Sequence, residues 1–267
     1  MQTLRILLLS LLAIALAGCG LISTPELPVE IPGNPELPSL DQLPDVLRDL
    51  GVPDLSQIPD LPQVSDLPSL NAPPDGIVFA GPTERRINVG ERIPGTDIQL
   101  VAVTEEGAEF HIAGLRAMRA VGDSLDFDGA WAGISGVSYT LRMRVYLIGD
   151  AYGRAAGVHR LVVENIAPQE QPITLSGATI KVPYTGSIGV GETLKGMTLG
   201  YAGKADRGAE ITGLPPGDFP YRKVGDSLTW KGYLRPDIPI AYNVRVVMYT
   251  ENSLQVAGIA TVQLPGP

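Results

Sequence analysis

This chain contains the same stretch of sequence twice. Residues 87–111 align without gaps on 188–212, at an offset of 101, and residues 121–146 align on 224–249, at an offset of 103. In the first block Ile87, Val89, Gly90, Glu91, Gly95, Gly107, Ala108 and Glu109 recur as Ile188, Val190, Gly191, Glu192, Gly196, Gly208, Ala209 and Glu210. In the second, Val121-Gly122-Asp123-Ser124-Leu125 returns as Val224-Gly225-Asp226-Ser227-Leu228, and Gly129, Tyr139, Arg142 and Tyr146 match Gly232, Tyr242, Arg245 and Tyr249. That is 17 identities in 51 positions, where composition alone would give roughly three or four. A duplication of this size requires one fold that can be built twice from about 100 residues. The two-residue change of offset is assigned to the Leu214–Pro220 loop of the second copy.

Each copy has the pattern of β structure. Leu125, Phe127, Gly129 and Trp131 alternate with Asp126, Asp128 and Ala130, and Leu228, Trp230, Gly232 and Leu234 alternate with Thr229, Lys231 and Tyr233. A period of two with polar partners means a half-buried strand. Leu141, Met143 and Val145, and Val244, Val246 and Met248, extend the logic to a second strand, and Val158–Val163 and Ile259–Leu264 to a third. Gly107 and Gly208, each after two polar residues, mark hairpin turns. Six or seven short strands per copy predict an all-β protein of two tandem homologous β-sandwich, immunoglobulin-like domains, 76–167 and 168–267. A barrel is the alternative. Ile166–Pro172 is the expected joint.

The preceding segment is different in kind. Residues 21–75 hold 12 of the chain's 24 prolines, and ten acidic residues against one base, Arg48, a net of −9. Arg5 adds +1, so residues 76–267 carry only −1 of the total −9. Such a segment buries too little apolar surface to offset its ordering entropy, and residues 19–75 are expected to form a disordered, extended tether. Its Leu-Pro steps, such as Pro25-Glu26-Leu27-Pro28 and Pro35-Glu36-Leu37-Pro38, suit either a spacer or a strip of weak docking sites for a groove that accepts polyproline II.

Residues 1–18 carry one cation, Arg5, an apolar run from Ile6 to Ala17, and small residues at a cut. Those are the parts of an export signal, too short to span a bilayer. Leu16-Ala17-Gly18-Cys19 resembles the lipobox of bacterial lipoproteins. The resemblance implies cleavage before Cys19, lipidation of its thiol, and membrane attachment at the extracytoplasmic face, on either the outer or the cytoplasmic membrane. Cys19 is the only cysteine, so no disulfide supports the fold.

The residues that could carry chemistry are few. Asp123/Asp226, Glu109/Glu210 and Arg142/Arg245 recur in both copies and suit turns and strand pairs better than acid–base work. Asp123–Gly129 lacks the oxygen ligands of a calcium loop. His111 and His159 stand alone, so no transition-metal site is expected. No cofactor is expected either. No G-x-S-x-G elbow is present, and the near-neutral repeats lack the basic stripe of a nucleic-acid binder. The candidate partner-binding surface is in copy two: Tyr233, Tyr221, Arg222, Lys223 and Arg235, aromatics beside cations that could stack on a sugar or anchor a protein. The expectation is a lipid-anchored, non-catalytic binding or scaffolding protein for an envelope protein or glycan. The alternatives are an envelope-polymer hydrolase and a purely structural spacer.

Overall fold

A computed structural model describes residues 61–265; Cys19, the export signal and most of the tether lie outside the described residues. Within them the chain is all-β. Copy one contributes β1 (Ile77–Asn88), β2 (Gln99–Thr104), β3 (Gly107–Ile112), β4 (Leu115–Arg119), β5 (Ser124–Ala130), β6 (Val137–Gly149) and β7 (Tyr152–Val163). A two-residue strand in the joint, β8 (Gln169–Glu170), precedes the rest of copy two: β9 (Thr179–Gly189), β10 (Gly200–Ala205), β11 (Gly208–Thr212), β12 (Tyr221–Arg222), β13 (Ser227–Arg235), β14 (Ile238–Tyr249) and β15 (Ser253–Gln263).

All pairings are antiparallel. Copy one forms a sheet β1-β7-β6-β5 and a meander β2-β3-β4; copy two forms β9-β15-β14-β13 and β10-β11-β12, with β8 added beside β13. Immunoglobulin constant domains place strands A, B, E and D on one sheet and C, F and G on the other. Here the first strand pairs with the seventh, and the second, third and fourth stand apart. Gly107 and Gly208 close the β2–β3 and β10–β11 hairpins at φ 137 and 134. Those angles are strained for any residue with a Cβ, which accounts for the glycine in both copies.

The register corrects one part of the sequence alignment. Leu125 pairs with Met143 and Val145 with Ala155 in copy one, whereas Leu228 pairs with Val244 and Val246 with Val256 in copy two. With β7 and β15 offset by 101, β6 must map on β14 at 101 and only β5 on β13 at 103. Copy two gains two residues before β12 and returns them after β13, where a tight turn replaces the longer β5–β6 loop. Tyr139 therefore corresponds to Ile240, Leu141 to Tyr242 and Arg144 to Arg245. The Tyr139/Tyr242, Arg142/Arg245 and Tyr146/Tyr249 identities do not share a place in the fold. Matching bulges at Val145/Leu147 and Val246/Met248 support the corrected register.

What the copies do share is turn chemistry. The Asp123 carboxylate accepts the Ala120 N–H at 2.8 Å and the Asp226 carboxylate accepts the Lys223 N–H at 2.7 Å. Glu91 and Glu192 likewise accept the N–H groups of Asn88 and Gly189 at 3.0 and 2.8 Å. These side chains hold the loops that lead into strands, as Asp beside Gly commonly does.

The two copies share one apolar core rather than two separate ones. Phe79 of β1 lies 6.4 Å from both Tyr184 of β9 and Tyr242 of β14, centroid to centroid. The Trp131 indole N–H donates to the Pro265 carbonyl at 2.9 Å. The joint adds Ala167 N–H to the Leu234 carbonyl at 2.7 Å, and β8 continues it into the copy-two sheet. The last residues assigned to the tether are also laid down: Leu67 is buried, and Leu61 and Pro62 border an apolar trough with Pro82, Ala156 and Val158. A phenylalanine buried between two copies couples their unfolding. Chemical denaturation is expected to show one transition, and Phe79→Ala to cost about 3–5 kcal/mol. Two transitions, one of them unmoved by that substitution, would contradict the shared core.

One polar residue sits deep in copy one. His159 is fully buried on the inward face of β7, its Nδ1 3.3 Å from the Tyr139 hydroxyl. Burial, and then the nearby Arg85 guanidinium, push its pKa down from 6.5 to about 4. The unfolded chain thus binds the extra proton first, so His159 lowers stability as pH falls from about 6.5 towards 4, with the loss complete below that window. The shift corresponds to about 3 kcal/mol. Denaturation midpoints at pH 7 and pH 4 should therefore draw together between the native protein and His159→Ala; a gap independent of pH would mean that His159 is not held neutral.

Candidate functional site

The candidate residues of copy two fall on different sheets. Tyr221 and Arg222 form β12, Lys223 follows it exposed, and Tyr233 and Arg235 end β13. Tyr233 is half-buried, paired with Pro239 on one side and with Gln169 of β8 on the other. The joint has covered the edge on which it stands. Arg235 is committed more firmly still. Its guanidinium donates to the Ser135 carbonyl at 2.6 Å and the Glu164 carbonyl at 3.3 Å, both in copy one, and pairs with Asp237 at 2.7 Å. Its side chain is 11% exposed, so it acts as a clamp between the copies.

Arg222 also has a local assignment. It donates to the carbonyls of Phe219 and Tyr221, while Arg119, its counterpart at an offset of 103, donates to the carbonyls of Ser124 and Met118. The bond to the preceding carbonyl is common to both copies, and both arginines spend their donors on local backbone.

Tyr221 is different, because the structure surrounds it with two residues that the sequence reading did not single out. Phe219 meets the Tyr221 ring edge-on, centroids 5.5 Å apart. The Arg207 guanidinium, from the β10–β11 turn, stands 4.2 Å from the Tyr221 centroid and 5.6 Å from that of Phe219. Phe219 remains 56% exposed, and Val224 beyond it 62%. At the corrected register copy one has Glu106, Arg116 and Met118 at these positions, with Arg116 paired to Glu109 at 2.6 Å. The cluster is therefore specific to copy two. The signal for it lay in the Leu214–Pro220 loop, which is two residues longer than its copy-one counterpart and whose only aromatic, Phe219, stands two residues before Tyr221.

An arginine within cation–π distance of two rings joins a cationic group to apolar ring surface. Lys223, exposed, follows Tyr221 by two positions in the chain. Among the described residues no group of three or more His, Cys, Asp or Glu is placed to hold a metal ion.

No family model matches this chain, and neither a curated protein nor a solved structure matches it. The site must be read from its own geometry.

If Arg235 is a clamp, its loss should appear in stability rather than in binding. Arg235→Ala is expected to lower stability by about 1–2 kcal/mol, from two lost charge-assisted bonds to carbonyls. Lys223→Ala, at an exposed site, should leave it unchanged. Equal melting temperatures for the two variants would remove the clamp.

Proposed function

We propose that this chain is a lipid-anchored extracytoplasmic protein whose two β-sandwich repeats bind an envelope protein or glycan without catalysing a reaction. Its contact surface is the Phe219–Tyr221–Arg207 cluster of copy two. The observation that carries the proposal is an exposed Phe219 edge-on to a half-buried Tyr221, both within cation–π distance of one arginine, present in one copy and replaced in the other. Aromatic and arginine side chains dominate the energetics of protein contacts, and the same ring faces stack on sugars. The lipobox resemblance at Leu16–Cys19 supplies the anchor. The acidic, proline-rich segment after it joins the anchor to the repeats.

The spacer reading is favoured by the continuous core and by the Arg235 clamp, which make the pair of repeats one stiff body. It leaves the exposed rings without a purpose, which is why binding stands first.

The test uses the full chain in its native membrane. A Phe219→Ala/Tyr221→Ala double variant keeps the core intact and should weaken crosslinked capture of a protein partner, or retention on purified envelope glycan, by at least tenfold. Leu115→Ala, an exposed apolar residue of copy one, should have no effect. Cys19→Ser should release the chain to the soluble fraction. Binding that survives the double variant unchanged rules out this surface, and membrane retention of Cys19→Ser rules out this anchor.

A further inference from the structure

A second site is suggested by copy one, on the opposite kind of chemistry. By the alternation of β1, Ile77, Phe79, Gly81, Thr83, Arg85 and Ile87 face inward, while Pro82, Glu84 and Arg86 face out. Arg85 thus carries a guanidinium onto the face that its neighbours use for the core. Across the β1–β7 ladder, Gly81 pairs with His159, Thr83 with Gly157 and Arg85 with Ala155. Only Thr83 and a glycine separate Arg85 from His159 on that face. The Arg85 charge acts on both His159 and Tyr139.

This polar group is incompletely satisfied. The Arg85 Nε and the His159 Nε2 are both buried without a hydrogen-bond partner among the described residues. No carboxylate among those residues comes within ion-pair distance of Arg85. A cation half-removed from water without a counter-charge is costly. The fold does not require it: at the corrected register copy two has Gly186, Ala260 and Ile240 where copy one has Arg85, His159 and Tyr139. The same scaffold is built with three apolar or small residues.

Arg85 also borders an open cleft of about 340 Å³ where β1 meets β9, lined with Pro82, Thr83, Glu84, Thr179 and Lys181. Lys181 is exposed on the outward side of β9 and adds a second cation. Glu84, the one acid in the lining, is already engaged: it accepts from Arg154 at 2.9 Å and from the Tyr146 hydroxyl at 2.8 Å. The cleft is therefore lined by two cationic and two hydroxyl-bearing residues, and its only acid is already paired with Arg154. A volume of that size is in the range of small-ligand sites.

We infer that this cleft binds a small oxyanion, a carboxylate or phosphate group, held between Arg85 and Lys181 with the Thr83 and Thr179 hydroxyls as further donors. The site is independent of the aromatic cluster of copy two, and either could exist without the other. Arg85 presents a planar fork of donors suited to two oxygens of such a group, and Lys181 supplies a point charge at the mouth. His159, behind Arg85, stays neutral and keeps the second charge of the pocket from becoming a third.

The test is titration of the mature-length protein with inorganic phosphate and, separately, with succinate, read by calorimetry and by the rise in melting temperature that ligand binding to the folded state requires. Saturable binding of at least one anion is expected; preference for phosphate or for succinate distinguishes the two sources of the oxyanion. Lys181→Ala, at an exposed position where folding is safe, should weaken it at least threefold, and Arg85→Gln at least tenfold. Lys204→Ala, a cation of copy two paired with Glu251 at 3.0 Å, should leave it unchanged. No saturable binding of either anion, or binding indifferent to Lys181 and Arg85, overturns the inference.

Discussion

The crossing of β1 over β9 is the constraint on which the rest of the molecule depends. These are the free edges of the two large sheets, and an exposed edge with unpaired backbone groups is a liability. Here each edge is placed against the other copy. At the crossing a Cβ on Gly81 would lie 2.5 Å from the Pro183 ring, closer than any side chain tolerates, so copy one needs a glycine there. Proline on the facing strand is suited to the same place, because it has no N–H to leave unpaired at an edge. Just before the crossing, β1 inserts Ile77 and Phe79 into the aromatic core of copy two, beside Tyr184 and Tyr242, themselves packed edge-on at 4.9 Å. Further along β1, Thr83 and Arg85 line the cleft with Thr179 and Lys181 of β9.

A duplicated chain allows this division of labour. Turn acids such as Asp123 and Asp226 keep their hydrogen bonds in both copies, because every strand entry depends on them. Other positions diverge, inward ones included. On the inward faces copy one has Arg85 and His159 where copy two has Gly186 and Ala260. Copy two instead places Arg207 beside Phe219 and Tyr221. The copies resemble each other where the backbone is shaped and differ where a ligand could be met.

Much of this architecture was legible in the residues, for physical reasons that can be named. Period-two alternation located β5, β6, β13 and β14, because a strand with one wet face cannot hide its polar residues. Gly107 and Gly208 marked their hairpins because only glycine accepts the required φ. Other features were not legible. The offset between copies changes twice, and the second change falls in a turn with no matched residues, so Tyr139 was aligned with Tyr242 by identity alone. Hydrogen-bond register, which sequence does not display, was needed to separate them. Arg235 looked like an exposed cation next to Tyr233, yet its partners Ser135 and Glu164 lie 100 and 71 positions away. Arg207 was missed for the same reason: its ring partners are across a meander, not along a strand.

The two polar specialisations differ in how much the fold resists them. Phe219 and Arg207 sit on a loop and a turn and Tyr221 on the short β12; none of the three belongs to the buried core, and their loss would leave it as it is. Arg85 and His159 lie on a face otherwise given to packing, where the copy-two solution of glycine and alanine is available and avoids the desolvation of charge. A half-buried cation kept against an accessible apolar alternative is not a stability device, since replacing buried charged groups by apolar ones is commonly neutral or stabilising. The same holds for a histidine whose burial makes the fold weaker in acid. Arg85 and His159 cost the fold something at a place where the sister copy has glycine and alanine, which is the reason to look for an interaction outside the fold. An anion between Arg85 and Lys181 is the interaction that the charges, the hydroxyls and the engaged Glu84 have in common.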